Sequence, residues 1–340
     1  SIAQSQIERE IHYCCGKLLG HSNEQAVTGG YARKSRRARQ EEAMHIAVSG
    51  SSGLVGSALV SSLTAGGHRV TRLVRRSPVG NDVLWGPAEG IRDLPKLAGV
   101  DGVVHLAGEN IAAGRWTEAC KAEIRRSRVE GTRRLCESLA KLGARPKVLV
   151  SASAIGFYGN RGVEILTEDS APGSDFLAGV CREWEAATEP ASRAGIRVVH
   201  LRFGMILSPA GGALKKMLLP FKMGAGGRIG SGAQFMSWIA IDDAVGVIQH
   251  ALSTESIRGP VNAVAPAPVT NAEFTRTLAR VLSRPAIVPM PAFAARLAFG
   301  ELADALLLSS QRVMPSRLKE SGCRFRYPEL EGALRHLLNQ

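Results

Sequence analysis

An α/β fold built on a doubly wound parallel sheet is predicted by three observations. Short β-branched apolar runs alternate with long amphipathic helical patterns, each run ends in small residues, and the first strand-to-helix turn is GSSGLVG, residues 50–56. Strands separated by helices pair in parallel through right-handed crossovers, which covers both sheet faces and gathers ligands at the strand C-terminal ends.

HIAVSG (45–50) is the first strand pattern, and in the segment after it Leu54, Ala58, Leu59 and Leu63 share one helical face. Between them Gly50, Gly53 and Gly56 form GxxGxxG. The first glycine permits a tight turn, the second lets backbone amides reach a pyrophosphate, and the third lets helix and strand pack closely. A dinucleotide is therefore expected at this helix N-terminus. HRVTRLV (68–74) is the second strand, and Arg75 and Arg76 follow it where NAD enzymes place an acid for the ribose hydroxyls. Two guanidinium groups there suit a 2′-phosphate, so NADP is expected over NAD, with Arg75 as the phosphate partner and Arg76 as a solvated loop charge.

The alternation continues through DGVVHLAG (101–108), a helical pattern from Thr117 to Leu142, and KVLVSASA (147–154). A helix over 178–194 and the strand IRVVHLRFG (196–204) follow. The strand ends carry Gly50, Ala107, Gly108, Ser151, Ser153 and Gly204, small residues that leave room for a cofactor across the sheet.

Composition narrows the class. A 340-residue chain with 45% hydrophobic residues can bury a large core, and no apolar run reaches the roughly 18 residues of a membrane span. Six scattered cysteines show neither a CxxC pair nor metal-ligand spacing with histidine, which predicts no metal, no disulfide framework and a reducing, cytoplasmic setting. The +13 net charge is diffuse apart from RKSRRAR (33–39), so no nucleic-acid partner is expected. Residues 1–43 lack apolar periodicity and admit three readings: an organellar presequence, opposed by five glutamates; a nucleic-acid arm; or an extension ahead of a start at Met44.

GSSGLVG, HLAG, SASAIGFYG, LRFG and WIAIDDAV, in that order, resemble the extended short-chain dehydrogenase/reductase family. GEN (108–110), Arg115–Trp116, SRVEGT (127–132), FLAGVCREWE and SWIAIDD are similar to its atypical epimerase-like branch, labelled NADP-dependent oxidoreductases or nucleoside-diphosphate-sugar epimerases. Residues 300–338 are similar to the short helical domain of unknown function that closes those proteins. The resemblance implies a Rossmann domain over 44–210, rejoined by 235–265, and a smaller, mostly helical substrate lobe from 211–234 and 266–340. It places cofactor contacts on Gly50, Ser51, Ser52, Gly53, Leu54, Val55, Gly56, Arg75, Leu106, Ala107, Gly108 and Ser151.

Active members of that family use a Tyr and a Lys four residues later, on the helix after the Ser strand; the Lys holds ribose and lowers the Tyr pKa. Here Ser153 matches the family serine, and the register assigns Leu177 and Cys181 to the two reactive places. That couple cannot operate in this chain. Three replacements are candidates: Ser153 to polarise a substrate oxygen, Glu109 as acid/base or hydroxyl ligand, and Tyr158 as a substitute phenol or a packing residue. Arg115 and Trp116 are expected as a lid or wall, and Lys121 as a phosphate contact. Lys215, Lys216, Lys222 and Arg228 could clamp a diphosphate. Ser237, Trp238 and Asp243 mark the later cleft, with Asp243 as a cap or loop anchor, and His105 and His200 are expected in the core. The function expected is an NADP(H)-dependent oxidoreductase or epimerase acting on a small or nucleotide-linked substrate. The alternative is a cofactor-binding sensor or interaction protein without turnover.

Overall fold

The computed structural model describes residues 43–112 and 114–340, so the readings of the N-terminal segment up to residue 42 lie outside the described residues. The strands are β1 (His45–Ser49), β2 (Arg69–Val74), β3 (Val83–Gly86), β4 (Gly90–Ile91), β5 (Gly102–His105), β6 (Val148–Ala154), β7 (Ile165–Leu166), β8 (Arg197–Phe203), β9 (Met205–Leu207), β10 (Phe235–Met236), β11 (Trp238–Ala240), β12 (Gly259–Ala263), β13 (Val269–Thr270) and β14 (Arg312–Val313). The helices are α1 (Leu54–Ala65), α2 (Glu118–Ala140), α3 (Phe176–Ala186), α4 (Glu189–Arg193), α5 (Gly212–Lys222), α6 (Ile241–Ser253), α7 (Asn271–Val281), α8 (Ala292–Phe299), α9 (Ser316–Glu320) and α10 (Leu330–Leu338).

Eight strands form the main sheet in the order β12-β8-β6-β5-β1-β2-β3-β4. Every pairing is parallel except β3 with β4. The chain starts in the middle at β1, winds outward through β2, then returns across β1 to build β5, β6 and β8. The strand order thus reverses between β1 and β5, which opens a crevice at their C-terminal ends. β3 and β4 escape sequence detection because runs of four and two residues are too short to carry a period.

Both sheet faces are buried, as parallel strands under helices require. Ile46, Val48, Val104 and Val150 pack with Leu59 and Leu63 of α1 and with Val247, Ile248 and Ala251 of α6. On the other face Ala47, Val103 and Leu149 pack with Leu135, Cys136 and Leu139 of α2. Burying one such leucine contributes about 1.5–3 kcal/mol. A third cluster joins Leu214, Phe221, Trp238, Phe274, Leu278 and Leu334, gathered from α5, β11, α7 and α10. Met44–Gln340 is one compact unit.

The helix expected over 178–194 is two helices. α3 starts earlier, at Phe176, because Asp175 caps it by accepting from the Ala178 amide at 2.8 Å. It stops at Ala186 because Pro190, which has no N–H to donate inside a helix, instead opens the first turn of α4. Among the described residues no helix is long and apolar enough to cross a membrane.

Candidate cofactor and active site

The Gly-rich turn joins β1 to α1. Gly50 has φ of 69°, a conformation that favours glycine, and a Cβ there would stand 2.8 Å from the Leu106 carbonyl carbon. A Cβ on Gly56 would lie 2.1 Å from the Gly50 carbonyl oxygen, so helix and turn touch with no space for a side chain. The Gly53 amide donates to that same oxygen at 2.9 Å and the Ser57 amide donates to Gly53. Gly53 caps α1 without a side-chain hydrogen bond, and the first turn holds no acid. The amides of Leu54, Val55 and Gly56 therefore head an uncapped helix, whose partial positive charge suits a phosphate. Leu54 also contacts Gly211 and Gly212, where α5 begins. These residues fit a dinucleotide pyrophosphate: backbone donors, a positive helix end, and two glycines at which a Cβ would press on backbone atoms.

Arg75 and Arg76 follow β2 directly and are exposed. Neither forms an ion pair among the described residues, whereas Arg72 on the strand is engaged by Asp82 at 2.7 Å. Arg75 thus retains its donors for an anion beside the β1 turn.

On the other side of the crevice, a buried polar chain runs under the ends of β6 and β8. Ser153 Oγ donates to Glu185 Oε1 at 2.7 Å. Arg202 holds both Glu185 oxygens, through Nε at 2.8 Å and Nη2 at 2.9 Å. Arg202 Nη1 donates to Tyr158 Oη at 3.0 Å, and that hydroxyl donates to Asn262 Oδ1 at 2.7 Å. The guanidinium stacks 3.5 Å over the Phe157 ring. Burial pulls the Arg202 pKa down, but the hydrogen bonds and charge of Glu185 outweigh it and leave the pKa raised.

Of the two roles expected for Tyr158, substitute phenol or packing residue, these contacts fit the second. It is fully buried, its hydroxyl is committed to Asn262, and burial raises its pKa, so it is a packed neutral phenol and not a donor facing the crevice. Ser153 is buried with its proton directed at Glu185. Ser151 is also buried, on β6 beside His105 of β5. Residue-by-residue reading of the sequence used Glu185 only to set the register of Cys181 and Leu177, and missed Arg202 and Asn262. The available signal was an arginine between Leu201 and Phe203 and an asparagine between Val261 and Ala263, charge and polarity inside core strands that demand partners.

Leu177 and Cys181 lie on the α3 face turned to the end of β6. A Cβ on Gly156 would be 3.4 Å from Leu177 Cβ and 3.9 Å from Cys181 Sγ. Cys181 is buried, and desolvation first, then the Glu185 charge, pushes its thiol up to about 12. It is a protonated core residue at neutral pH. His105 is likewise a core group, held by Ser49 Oγ at 2.6 Å and Thr132 Oγ1 at 3.0 Å, with burial lowering its pKa to about 4. Trp184 Nε1 donates to the same Thr132 hydroxyl at 2.9 Å, which ties α3 to α2 beneath the crevice. His200 is bonded to Thr188 at 2.9 Å.

Leu106, Ala107 and Gly108 leave β5 toward the crevice, with Leu106 and Ala107 partly buried and Gly108 exposed. Glu109 is exposed next to them; its amide donates to Ser127 Oγ at 3.1 Å and its carbonyl accepts from Arg128 at 2.9 Å, so the backbone is fixed while the carboxylate stays in solvent. Ser51 and Ser52 belong to the turn itself. Arg115 donates to the Leu297 carbonyl of α8, and Trp116 packs edge-on against Phe176 with ring centroids 5.4 Å apart. The pair therefore forms a wall between α3 and α8. Lys121, expected as a phosphate contact, has its ammonium engaged by Glu118 at 2.8 Å and Glu301 at 3.1 Å. Lys216 bonds the Ala112 carbonyl at 3.0 Å and Lys215 the Ala210 carbonyl at 3.3 Å. Asp243 accepts from the Arg326 and Tyr327 amides at 2.7 and 3.0 Å, an anchor for the C-terminal segment. Ser237 Oγ bonds the Gln311 carbonyl at 2.8 Å, and Trp238 is buried. No group of three or more potential metal ligands occurs among the described residues.

The fold and this site define a doubly wound α/β protein with a dinucleotide crevice at its strand switch point. Residues 46–263 match the model of the NAD dependent epimerase/dehydratase family, and residues 290–337 match that of a domain of unknown function. The chain belongs to the NAD dependent epimerase/dehydratase family. It is 46% identical over 290 residues to the epimerase family protein Mb2239 of Mycobacterium bovis, covering 85% of this chain and 96% of that protein. The crystal structure of human epimerase family protein SDR39U1 with NADPH is similar with TM-score 0.81 and 36% identity, covering 87% of this chain and all of that one. A nucleoside-diphosphate sugar epimerase from Corynebacterium glutamicum is similar with TM-score 0.74 and 39% identity, covering 91% of this chain and 61% of that one.

Proposed function

We propose that this chain binds NADP(H) across the β1–β5 crevice and serves as an oxidoreductase or epimerase on a small or nucleotide-linked substrate. The observation that carries the reading is the uncapped α1 N-terminus behind Gly50 and Gly56, with the unpaired Arg75 at the end of the neighbouring strand. A similar protein, human SDR39U1, is crystallised with NADPH, which supports the same cofactor. NADP(H), when bound, supplies or accepts the hydride. This chain's own part is to hold the diphosphate on the α1 amides, the 2′-phosphate on Arg75, and the substrate at the ends of β5 and β6. Glu109 is the exposed acid at that place and is proposed as the proton-transferring group. Ser153, whose proton Glu185 holds, would orient the substrate by accepting a hydrogen bond from a substrate hydroxyl, with Glu185 and Arg202 behind it. A nucleotide-linked substrate accords with the C. glutamicum relative's description.

Titration of NADPH and NADH into the wild type and Arg75→Ala tests the cofactor part. Selective weakening of NADPH is expected, and equal loss for both would overturn the 2′-phosphate role. Oxidation of NADPH by a panel of carbonyls and nucleotide sugars tests turnover. Leu177 and the inert Cys181 thiol favour a second reading, a cofactor-binding protein without turnover; tight NADPH binding with no oxidation across the panel would establish that reading instead.

A further inference from the structure

Arg128 is a partly buried cation with no carboxylate within ion-pair distance among the described residues. Three other arginines on its helix are paired, Arg125 with Glu183, Arg126 with Glu123 and Arg134 with Glu137, while the exposed Arg133 at the helix surface has no ion pair among the described residues. Arg128 forms no ion pair among the described residues. Its guanidinium donates only to carbonyls, Glu109 at 2.9 Å and Ile124 at 3.3 Å, and its Cζ lies 5.2 Å from the Trp184 ring centroid. Those two bonds leave part of its five-donor set uncommitted. The Cζ is also 3.3 Å from where a Cβ on Gly108 would stand, so the charge sits against the end of β5. Burial lowers its pKa; the nearby groups that oppose this are Cys181, a neutral thiol, and Glu109, whose carboxylate is in water.

The strand order fixes which half of a dinucleotide this charge meets. Arg75 marks the adenosine end beside β2, the pyrophosphate lies at α1, and the nicotinamide end must run toward β5 and β6. The oxidised nicotinamide ring carries a positive charge and the reduced ring is neutral. A partly desolvated guanidinium on that side repels the first and tolerates the second.

We propose that Arg128 makes the nicotinamide end of the crevice electropositive, so that the protein holds NADPH in preference to NADP+. The preference is electrostatic and belongs to this side chain. It rests on the NADP reading above, and the experiment separates the two.

The full chain is titrated with NADPH by fluorescence, and NADP+ and 2′,5′-ADP, which lacks the nicotinamide half, are measured by displacement. Wild type is expected to bind NADPH about three- to ten-fold more tightly than NADP+. Arg128→Gln should bring that ratio close to one while leaving 2′,5′-ADP affinity unchanged, and Arg128→Lys, which restores the charge, should recover most of it. Equal wild-type affinity for the two forms would overturn the proposal without any variant. So would an unchanged ratio in Arg128→Gln, or an equal loss of all three ligands, which would mark Arg128 as a structural support of the Glu109 loop. Failure of wild type to bind 2′,5′-ADP would overturn the cofactor reading itself.

Discussion

Glu185→Gln is the substitution that most directly probes the polar chain beneath the crevice. One carboxylate there takes three hydrogen bonds, from Ser153 Oγ and from Nε and Nη2 of Arg202. The side chains are 12% and 3% exposed, so water screens the pair little. Glutamine keeps the shape but offers one acceptor oxygen and turns an NH2 toward a donor. Arg202 is then a buried charge without a counter-charge. Breaking a buried pair from one side costs about 3–5 kcal/mol, which for a domain of this size lowers the melting temperature by roughly 5–8 °C. Urea denaturation measures the free energy and a thermal scan the temperature. Arg202→Met and Glu185→Leu made together remove both charges, and the double variant should lose clearly less than the two single variants added. A Glu185→Gln loss below about 1 kcal/mol would refute the idea that Ser153 stands on a buried ion pair.

Three further outcomes are expected. Gly56→Ala places a methyl group 2.1 Å from the Gly50 carbonyl and should cost about 1–3 kcal/mol while weakening NADPH binding; unaltered binding would show that the turn adapts. Cys181 should resist thiol reagents in the native state at pH 8 and react on unfolding, with mass spectrometry locating the adduct; rapid native labelling would contradict its raised pKa. His105 has a folded pKa of about 4, below the 6.5 of the unfolded chain, so below 6.5 the unfolded state takes up the proton first. Its neutral burial therefore stabilises the fold fully above pH 6.5, and that contribution falls as pH drops toward 4, by about 3 kcal/mol in all. Urea midpoints between pH 7 and 4.5 should show the loss, and His105→Asn should flatten it; an identical pH dependence in the variant would exclude His105 as its source.

Much of the fold was legible because it rests on local pattern. The period-2 and period-3.6 runs located β1, β2, β6, β8 and α2 to within a residue or two, while β5 ends at His105, three residues before the end of the expected run. Glycine has a physical meaning that survives without coordinates: Gly50 sits at positive φ and Gly56 touches backbone, as the spacing required. The place of Leu177 and Cys181 was also a matter of register along one helix. Where a local rule competed with a longer pattern, as at Pro190, the pattern overran the helix end.

What the sequence by itself determined is the chemistry that local backbone geometry dictates: a Gly-rich turn at a helix start and small residues at strand ends. Tertiary structure alone decided how side chains far apart in sequence share charge. Ser153 and Glu185 meet across 32 positions and Tyr158 and Asn262 across 104, so no period could reveal that Tyr158 is locked in the core. Only packing showed that Lys121 is spent on Glu118 and Glu301 while Arg128 is left without an acid, because desolvation and pairing belong to the folded neighbourhood and not to the residue.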